Sequence, residues 1–273
     1  METLFEFFSF RDASVIAVVL GSILVTSSSA VVGTFTFLKK KALLGDAVAH
    51  AILPGICLAF ILSGTKNPLI LVVGAFITGW LSLVVIDYIS IKTKLKEDTA
   101  IALVLSVFFG IGILMLTRIQ HSGNAAQSGL DSFLFGNAAA LIGSDLLVFA
   151  TVSASLLFLI GLLFKEMKIL AFDPEYAKVI GLPVKGLELV LTSLTVLAVV
   201  TGIQAVGVVL MAAMLITPAA AARFWTQDTF KLVVIAGFLG AFSGLAGAFV
   251  SYTAPSMPTG PWIVMIISII ALV

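Results

Sequence analysis

Residues 43–64 read LLGDAVAHAILPGICLAFILSG. The run is apolar almost throughout, and at about 1.5 Å per residue it is long enough to cross a hydrocarbon core of about 30 Å. Yet it carries an aspartate, Asp46, and a histidine, His50, one helical turn apart, and Pro54 and Gly55 follow. An ionised aspartate inside a membrane costs on the order of 3 kcal/mol on the insertion scale. A chain that keeps such residues there has a use for them.

Similar apolar runs recur from end to end. The chain has 273 residues, 60% of them hydrophobic and only 11% charged, with a mean hydropathy of +1.22. Soluble domains carry about 25% charged residues. The runs do not alternate in segments of about ten residues, as a membrane barrel would. The fold class expected is therefore all-α: one polytopic transmembrane helical bundle occupying 1–273, with the lipid bilayer as its solvent. Helices are expected near 13–38, 42–63, 68–91, 99–118, 138–164, 187–204, 206–224, 229–251 and 260–273. The stretch from Leu187 to Trp225 is too long for one span and breaks at TGIQAVG, Thr201 to Gly207. Eight full spans are expected, nine if the segment after that break is counted. The start, METLFEFFSFRDAS, is acidic and aromatic and lacks the basic region of a cleaved signal peptide, so the first run is expected to be a retained span.

The basic residues orient these spans. Lys39, Lys40 and Lys41 follow the first; Lys92, Lys94 and Lys96 the third; Lys165, Lys168, Lys178 and Lys185 the fifth; Arg223 and Lys231 flank the turn before the penultimate one. The alternate loops hold only Arg11, Lys66 and Arg118. The positive-inside rule puts the lysine-rich loops in the cytoplasm and the N-terminus outside. Net charge is +1, which gives no pointer to a nucleic acid, and none is expected as a partner. Cys57 is the single cysteine, so the chain can form no internal disulfide.

Residues four apart lie on one helix face, so Asp46 and His50 can reach one ligand. Counted from Lys41, His50 lies roughly 14 Å above the cytoplasmic surface. Pro54 has no N–H, so the His50 carbonyl loses its helical partner, and a freed carbonyl in a membrane must be satisfied by protein, water or ligand. Pro54 and Gly55 are read as a helix break beside the site. Imidazole, carboxylate and carbonyl together suit Mn(II), Fe(II) or Zn(II) rather than Cu(I), which prefers sulfur. The plainer reading is that Asp46 and His50 pair with each other or with a neighbouring helix as structural glue. One carboxylate and one imidazole make a poor cation site. Two copies about a two-fold axis would supply two of each, and the two-fold dimer is the commonest assembly. Cys57, seven residues beyond His50, falls near the same face, although most such cysteines are packed hydrophobes. Asp87, Asp145 and the loop histidine His121 are further polar positions to place.

Two loops are long. RIQHSGNAAQSGLDSFLFGN, Arg118 to Asn137, is expected outside, as a surface loop or a lid at the pore mouth. KEMKILAFDPEYAKVIGLPVKGLE, Lys165 to Glu188, is expected inside. Its DPEYAKVIG is a short helix signal: Asp173 as N-cap, Pro174 at the first helical position, Glu175 in the first turn, Gly181 as the stop. A capped helix on that loop suits contact with a soluble partner. The chain has no G-x-x-x-x-G-K-[ST] and no H-E-x-x-H, so it is not expected to hydrolyse ATP itself or to be a zinc protease.

GDAVAHAILPG, AFDPEYAKVIGLPV and AVGVVLMAAMLITPAAAAR together resemble the membrane permease subunits of bacterial manganese/zinc/iron ABC importers, and the likeness covers nearly the whole chain. The resemblance implies a homodimeric permease of the cytoplasmic membrane, two cytoplasmic ATPase subunits and an extracellular metal-binding lipoprotein that delivers the cation. It implies that Asp46 and His50 are ligands on the translocation path, and that Asp173, Pro174, Glu175, Tyr176, Ala177 and Gly181 belong to the helix that receives the ATPase stroke. No cofactor is held permanently; the divalent metal, manganese before zinc, is cargo. A proton-coupled secondary transporter using Asp46 and His50 as a relay is the alternative, and a purely structural membrane subunit a third reading.

Overall fold

In the computed structural model, residues 13–65, 67–121, 143–253 and 258–272 are described. They are helical throughout, with no strand among them. In chain order the helices are α1 (Ala13–Leu38), α2 (Leu44–Ser63), α3 (Pro68–Lys92), α4 (Glu97–Gln120), α5 (Gly143–Leu162), α6 (Phe164–Phe172), α7 (Pro174–Val179), α8 (Val184–Val206), α9 (Val208–Trp225), α10 (Thr229–Thr253) and α11 (Thr259–Leu272).

Six of these, α1 to α4, α8 and α10, are long and apolar enough to cross a membrane, and α5 with α6 would make a seventh. Among the described residues that is fewer than the eight or nine spans expected from sequence. The run expected at 138–164 does not continue straight into its loop: α5 and α6 meet at a bend of 71°. The break expected within Thr201–Gly207 falls at its last residue, Gly207, whose backbone (φ 93°, ψ 160°) no helix admits. That leaves α9 short, and α11, at 14 residues, rises only about 21 Å. Both are apolar, and α9, at 18 residues, rises about 27 Å.

α1 is the hub. It packs on α10, α9, α5 and α8, while α2 packs on α3, α4 and α9. Small residues let the backbones approach, as membrane helix packing requires. A Cβ on Gly33 would strike the Leu215 backbone of α9, and one on Gly240 would come within 2.6 Å of the Thr26 carbonyl of α1. Several hydroxyls buried along α1 bond back to their own helix. Thr26 donates to the Ser22 carbonyl at 2.7 Å and Thr34 to the Ala30 carbonyl at 2.8 Å. Ser28 also meets Ser153 of α5 at 3.1 Å, hydroxyl to hydroxyl. The outward faces of α3, α4 and α10 expose Leu81, Val107, Leu114 and Phe238, large apolar side chains that suit lipid.

The helix ends that carry lysines converge. Lys39, just past α1, donates to Glu188 of α8 at 2.9 Å, and Lys41 lies 2.9 Å from Glu97 in the first turn of α4. The start of α2 sits beside this meeting point.

Candidate functional site

α2 begins at Leu44, after a turn in which the Leu44 N–H donates to the Lys41 carbonyl. The N-cap position is Leu43, which gives no side-chain cap. Asp46 falls in the first turn, where a negative charge opposes the positive end of the helix dipole. His50 follows one turn later. Measured from the start of α2 it lies only roughly 9 Å in, not the 14 Å counted from Lys41, because residues 41–43 form a turn rather than helix.

The two residues are already paired. His50 Nδ1 is 2.9 Å from the Asp46 carbonyl oxygen and 3.3 Å from Asp46 Oδ1. A carbonyl only accepts, so Nδ1 carries the proton in this arrangement, and in a neutral imidazole Nε2 then holds the free lone pair. Phe109 of α4 packs edge-on against the ring, centroids 5.0 Å apart at 77°, which fixes its plane. Between Ala47 and Cys57 every residue except His50 is buried. The His50 side chain keeps 18% of its surface and Asp46 keeps 40%. α2 is thus closed along this length save where imidazole and carboxylate look out together.

Pro54 and Gly55 do not break the helix. α2 runs through both from Leu44 to Ser63, with Pro54 in its interior. Gly55 serves a crossing instead: a Cβ there would strike the Gly74 carbonyl and the Thr78 hydroxyl of α3, and Gly74 in turn faces Ala59 and the Gly55 carbonyl. Gly55 was expected beside the ligand pair, whereas its partners lie on α3.

Cys57 is buried, with its thiol 3.8 Å from the Gly112 carbonyl of α4. It behaves as a small packed residue with a weak donor. His121 stands at the far end of α4, about 35 Å from Glu97. Its Nδ1 takes the Thr117 carbonyl at 2.8 Å, closing the helix end. With Arg118 it borders an open, mainly apolar depression of about 820 Å³. Asp87 lines a smaller cavity of about 160 Å³ with Lys39, Lys41 and Glu188. The side chain of Asp145 and most of the loop from Arg118 to Asn137 lie outside the described residues. Among the described residues no three His, Cys, Asp or Glu side chains gather closely enough to hold a metal ion.

The loop from Lys165 to Glu188 is more helical than expected, since α6 and α7 fill most of it. α7 forms as its residues predict. Asp173 Oδ1 accepts the Tyr176 N–H at 2.9 Å, Pro174 occupies the first turn, and Gly181 takes φ +81°. Ala177 is buried, while Tyr176, Val179 and Ile180 are exposed. Glu175 and Lys178 pair at 2.8 Å on the surface, and the carboxylate holds the Lys178 ammonium above its ordinary pKa. Asp173, Glu175, Tyr176 and Gly181 lie on one short, solvent-facing unit, apart from Asp46 and His50 in sequence but joined to them through α8.

Sequence reasoning missed Phe109, Glu97 and Glu188. Each lies far along the chain from its partner, and nothing local marks it.

Residues 11–273 match the family model described as the ABC 3 transport family. The "Manganese transport system membrane protein MntC" of Bacillus subtilis is 48% identical over 248 residues, 91% of this chain; the chain spans 57% of that relative's length. The "Zinc transport system membrane protein TroC" of Treponema pallidum is 42% identical over 264 residues, 97% of this chain and 89% of the relative. Among solved structures, "PsaBC from Streptococcus pneumoniae in complex with Fab" is similar with a TM-score of 0.87 at 32% identity, covering 98% of this chain and 94% of that one.

Proposed function

The chain belongs to the ABC 3 transport family, and from that membership we propose that it is the permease of an importer for a divalent transition metal. It is a multi-pass protein of the bacterial cytoplasmic membrane. Its relatives bear the names of manganese and zinc transport membrane proteins. Manganese is the first choice of cargo, because a carboxylate oxygen suits it and the B. subtilis relative is named for it; zinc is the second.

The observation that carries the reading is the Asp46–His50 turn. It is the one polar opening in a stretch of α2 otherwise buried from Gly45 to Cys57, with Nε2 and a carboxylate oxygen free for a cation. A second copy of the chain would complete the ligand set to two nitrogens and two oxygens. The lysine-bearing helix ends face the cytoplasm, the N-terminus lies outside, and α9 and α11 complete the crossing as short helices against α1 and α10. ATP is hydrolysed on separate subunits that dock at α7, and a binding protein outside delivers the metal.

The test is the metal held by the purified complex, by elemental analysis with Mn(II) and Zn(II) in competition. The wild type should hold about one ion per pair of chains, and Asp46→Ala and His50→Ala none. Unchanged metal content in both variants would overturn the site. Uptake that an uncoupler stops while ATP stays high would favour the proton-coupled alternative.

A further inference from the structure

α1 ends in a turn built by three lysines. The Lys41 N–H donates to the Thr36 carbonyl at 3.0 Å and the Lys40 N–H to the Phe37 carbonyl at 2.9 Å, the hydrogen-bond pair of a Schellman motif. Its left-handed position is normally filled by glycine. Here it is Lys40, at φ +59°, the one non-glycine residue with positive φ among those described. A lysine there stores backbone strain and holds only if its surroundings fix it.

The surroundings are two ion pairs. Lys39 reaches Glu188 in the second turn of α8, and Lys41 reaches Glu97 in the first turn of α4, both at 2.9 Å. The Lys39 side chain is only 11% exposed, so without Glu188 its ammonium would lose its direct partner and keep only Asp87, across the cavity, as a counter-charge. The cavity beside the pair, lined by Lys39, Lys41, Leu44, Asp87 and Glu188, leaves room for these groups to exchange partners.

This cluster lies between the two parts of the machine. From α7 the chain turns at Gly181, passes Leu182 and Pro183, and enters α8, which carries Glu188. From Lys39 it passes the strained turn and enters α2, whose first turn holds Asp46. A movement of α7 thus has a polar route toward α2, the Glu188–Lys39 contact, beside the packing of α8 on α1 and α2.

We propose that Lys39 and Glu188 are positioning residues that carry displacement of α7 to the Asp46–His50 pair, with Lys40 as the pivot. The inference rests on the proposed metal-importer reading, and its test separates the two. The variants Lys39→Glu, Glu188→Lys and the double exchange are expressed in cells lacking other importers, quantified in the membrane, and assayed for Mn(II) uptake. Each single exchange should lower uptake about five- to tenfold, within the range of coupling between linked sites, and the double exchange should restore most of it. In parallel, Lys39→Cys with Glu188→Cys is oxidised in membranes of the assembled transporter, with and without ATP, and the crosslinking rate should change severalfold on adding ATP. Singles that transport like the wild type, a double exchange no better than the worse single, or crosslinking indifferent to ATP would each overturn the proposal. A wild type that moves no Mn(II) would overturn the choice of manganese as cargo alone, and a swap variant that fails to accumulate gives no uptake figure; in either case the ATP dependence of crosslinking decides the linkage by itself.

Discussion

Asp46 and Asp173 each stand at the start of a helix, and the structure uses them in opposite ways. Asp173 turns its carboxylate back on α7 and gives it to the Tyr176 N–H. Asp46 gives its carbonyl to His50 and leaves its carboxylate beside the imidazole, 40% exposed. One aspartate is consumed by the backbone it caps. The other is held out by the helix it opens. The residue type is the same but the position differs: Asp173 is the N-cap of α7, whereas Asp46 lies three residues past the α2 N-cap, Leu43, so its carboxylate is left over for something else.

The largest expected effect breaks this pair apart by function. Asp46→Ala or His50→Ala should lower metal uptake by more than the roughly 10–100-fold lost with a mere supporting partner of a metal ligand, while thermal stability barely moves. Asp173→Ala should do the reverse at its own site. It removes a cap worth about 1 kcal/mol, loosening α7 as read by amide exchange, and Asp173→Asn should restore it because asparagine caps as well. If Asp46→Ala unfolds the protein and leaves residual uptake proportional to folded chain, Asp46 is structural glue and the contrast fails.

Gly55 sharpens the comparison from the side of the fold. It lies five residues beyond His50 on the same helix, yet its neighbours are Gly74 and Thr78. Gly55→Leu should destabilise the purified permease by about 1–3 kcal/mol or more through overpacking, seen as a lower thermal midpoint. Unchanged stability would mean that α2 and α3 do not cross there.

What could be read from the residues was what is local. The i, i+4 spacing of Asp46 and His50, the capped helix from Asp173 to Gly181, and the break ending at Gly207 each sit within a few residues, and the structure has them where the sequence put them. The contacts that frame the site are not local. Glu188 is 149 residues from Lys39, and Phe109 reaches His50 from another helix. The turn at Lys40 was hidden for another reason. Its hydrogen bonds match those after α7, where Leu182 N–H meets the Ala177 carbonyl and Gly181 N–H the Lys178 carbonyl. There a glycine announces the turn; at Lys40 ion pairs on either side hold it, and no pattern in the sequence marks ion pairs. The 71° bend between α5 and α6 was hidden likewise, because hydropathy sees apolar length but not direction.

A third aspartate offers the finest test. Asp228 opens α10 as Asp173 opens α7, with its Oδ1 accepting from the Phe230 N–H at 2.8 Å and the Lys231 N–H at 3.3 Å. Those bonds, to Lys231 and then Phe230, hold its carboxyl below the ordinary carboxylate pKa, with Lys168 and Lys231 adding to the effect. The sign follows from the direction. The folded form prefers the ionised group, so the cap's contribution is fully present above the ordinary value of about 4 and is lost as pH falls through the lowered one. In Asp228→Asn that acid-side loss should shrink, because an amide caps without titrating. The readout is the thermal midpoint of the two proteins from about pH 5 down to pH 3, a range across the ordinary carboxylate value. The difference should be the smallest of those described here, since Asp228 is fully exposed and its charge is screened. Parallel acid curves would mean that the α10 cap contributes through its geometry alone. Of the three aspartates compared, Asp46 would then be the one whose charge the protein uses.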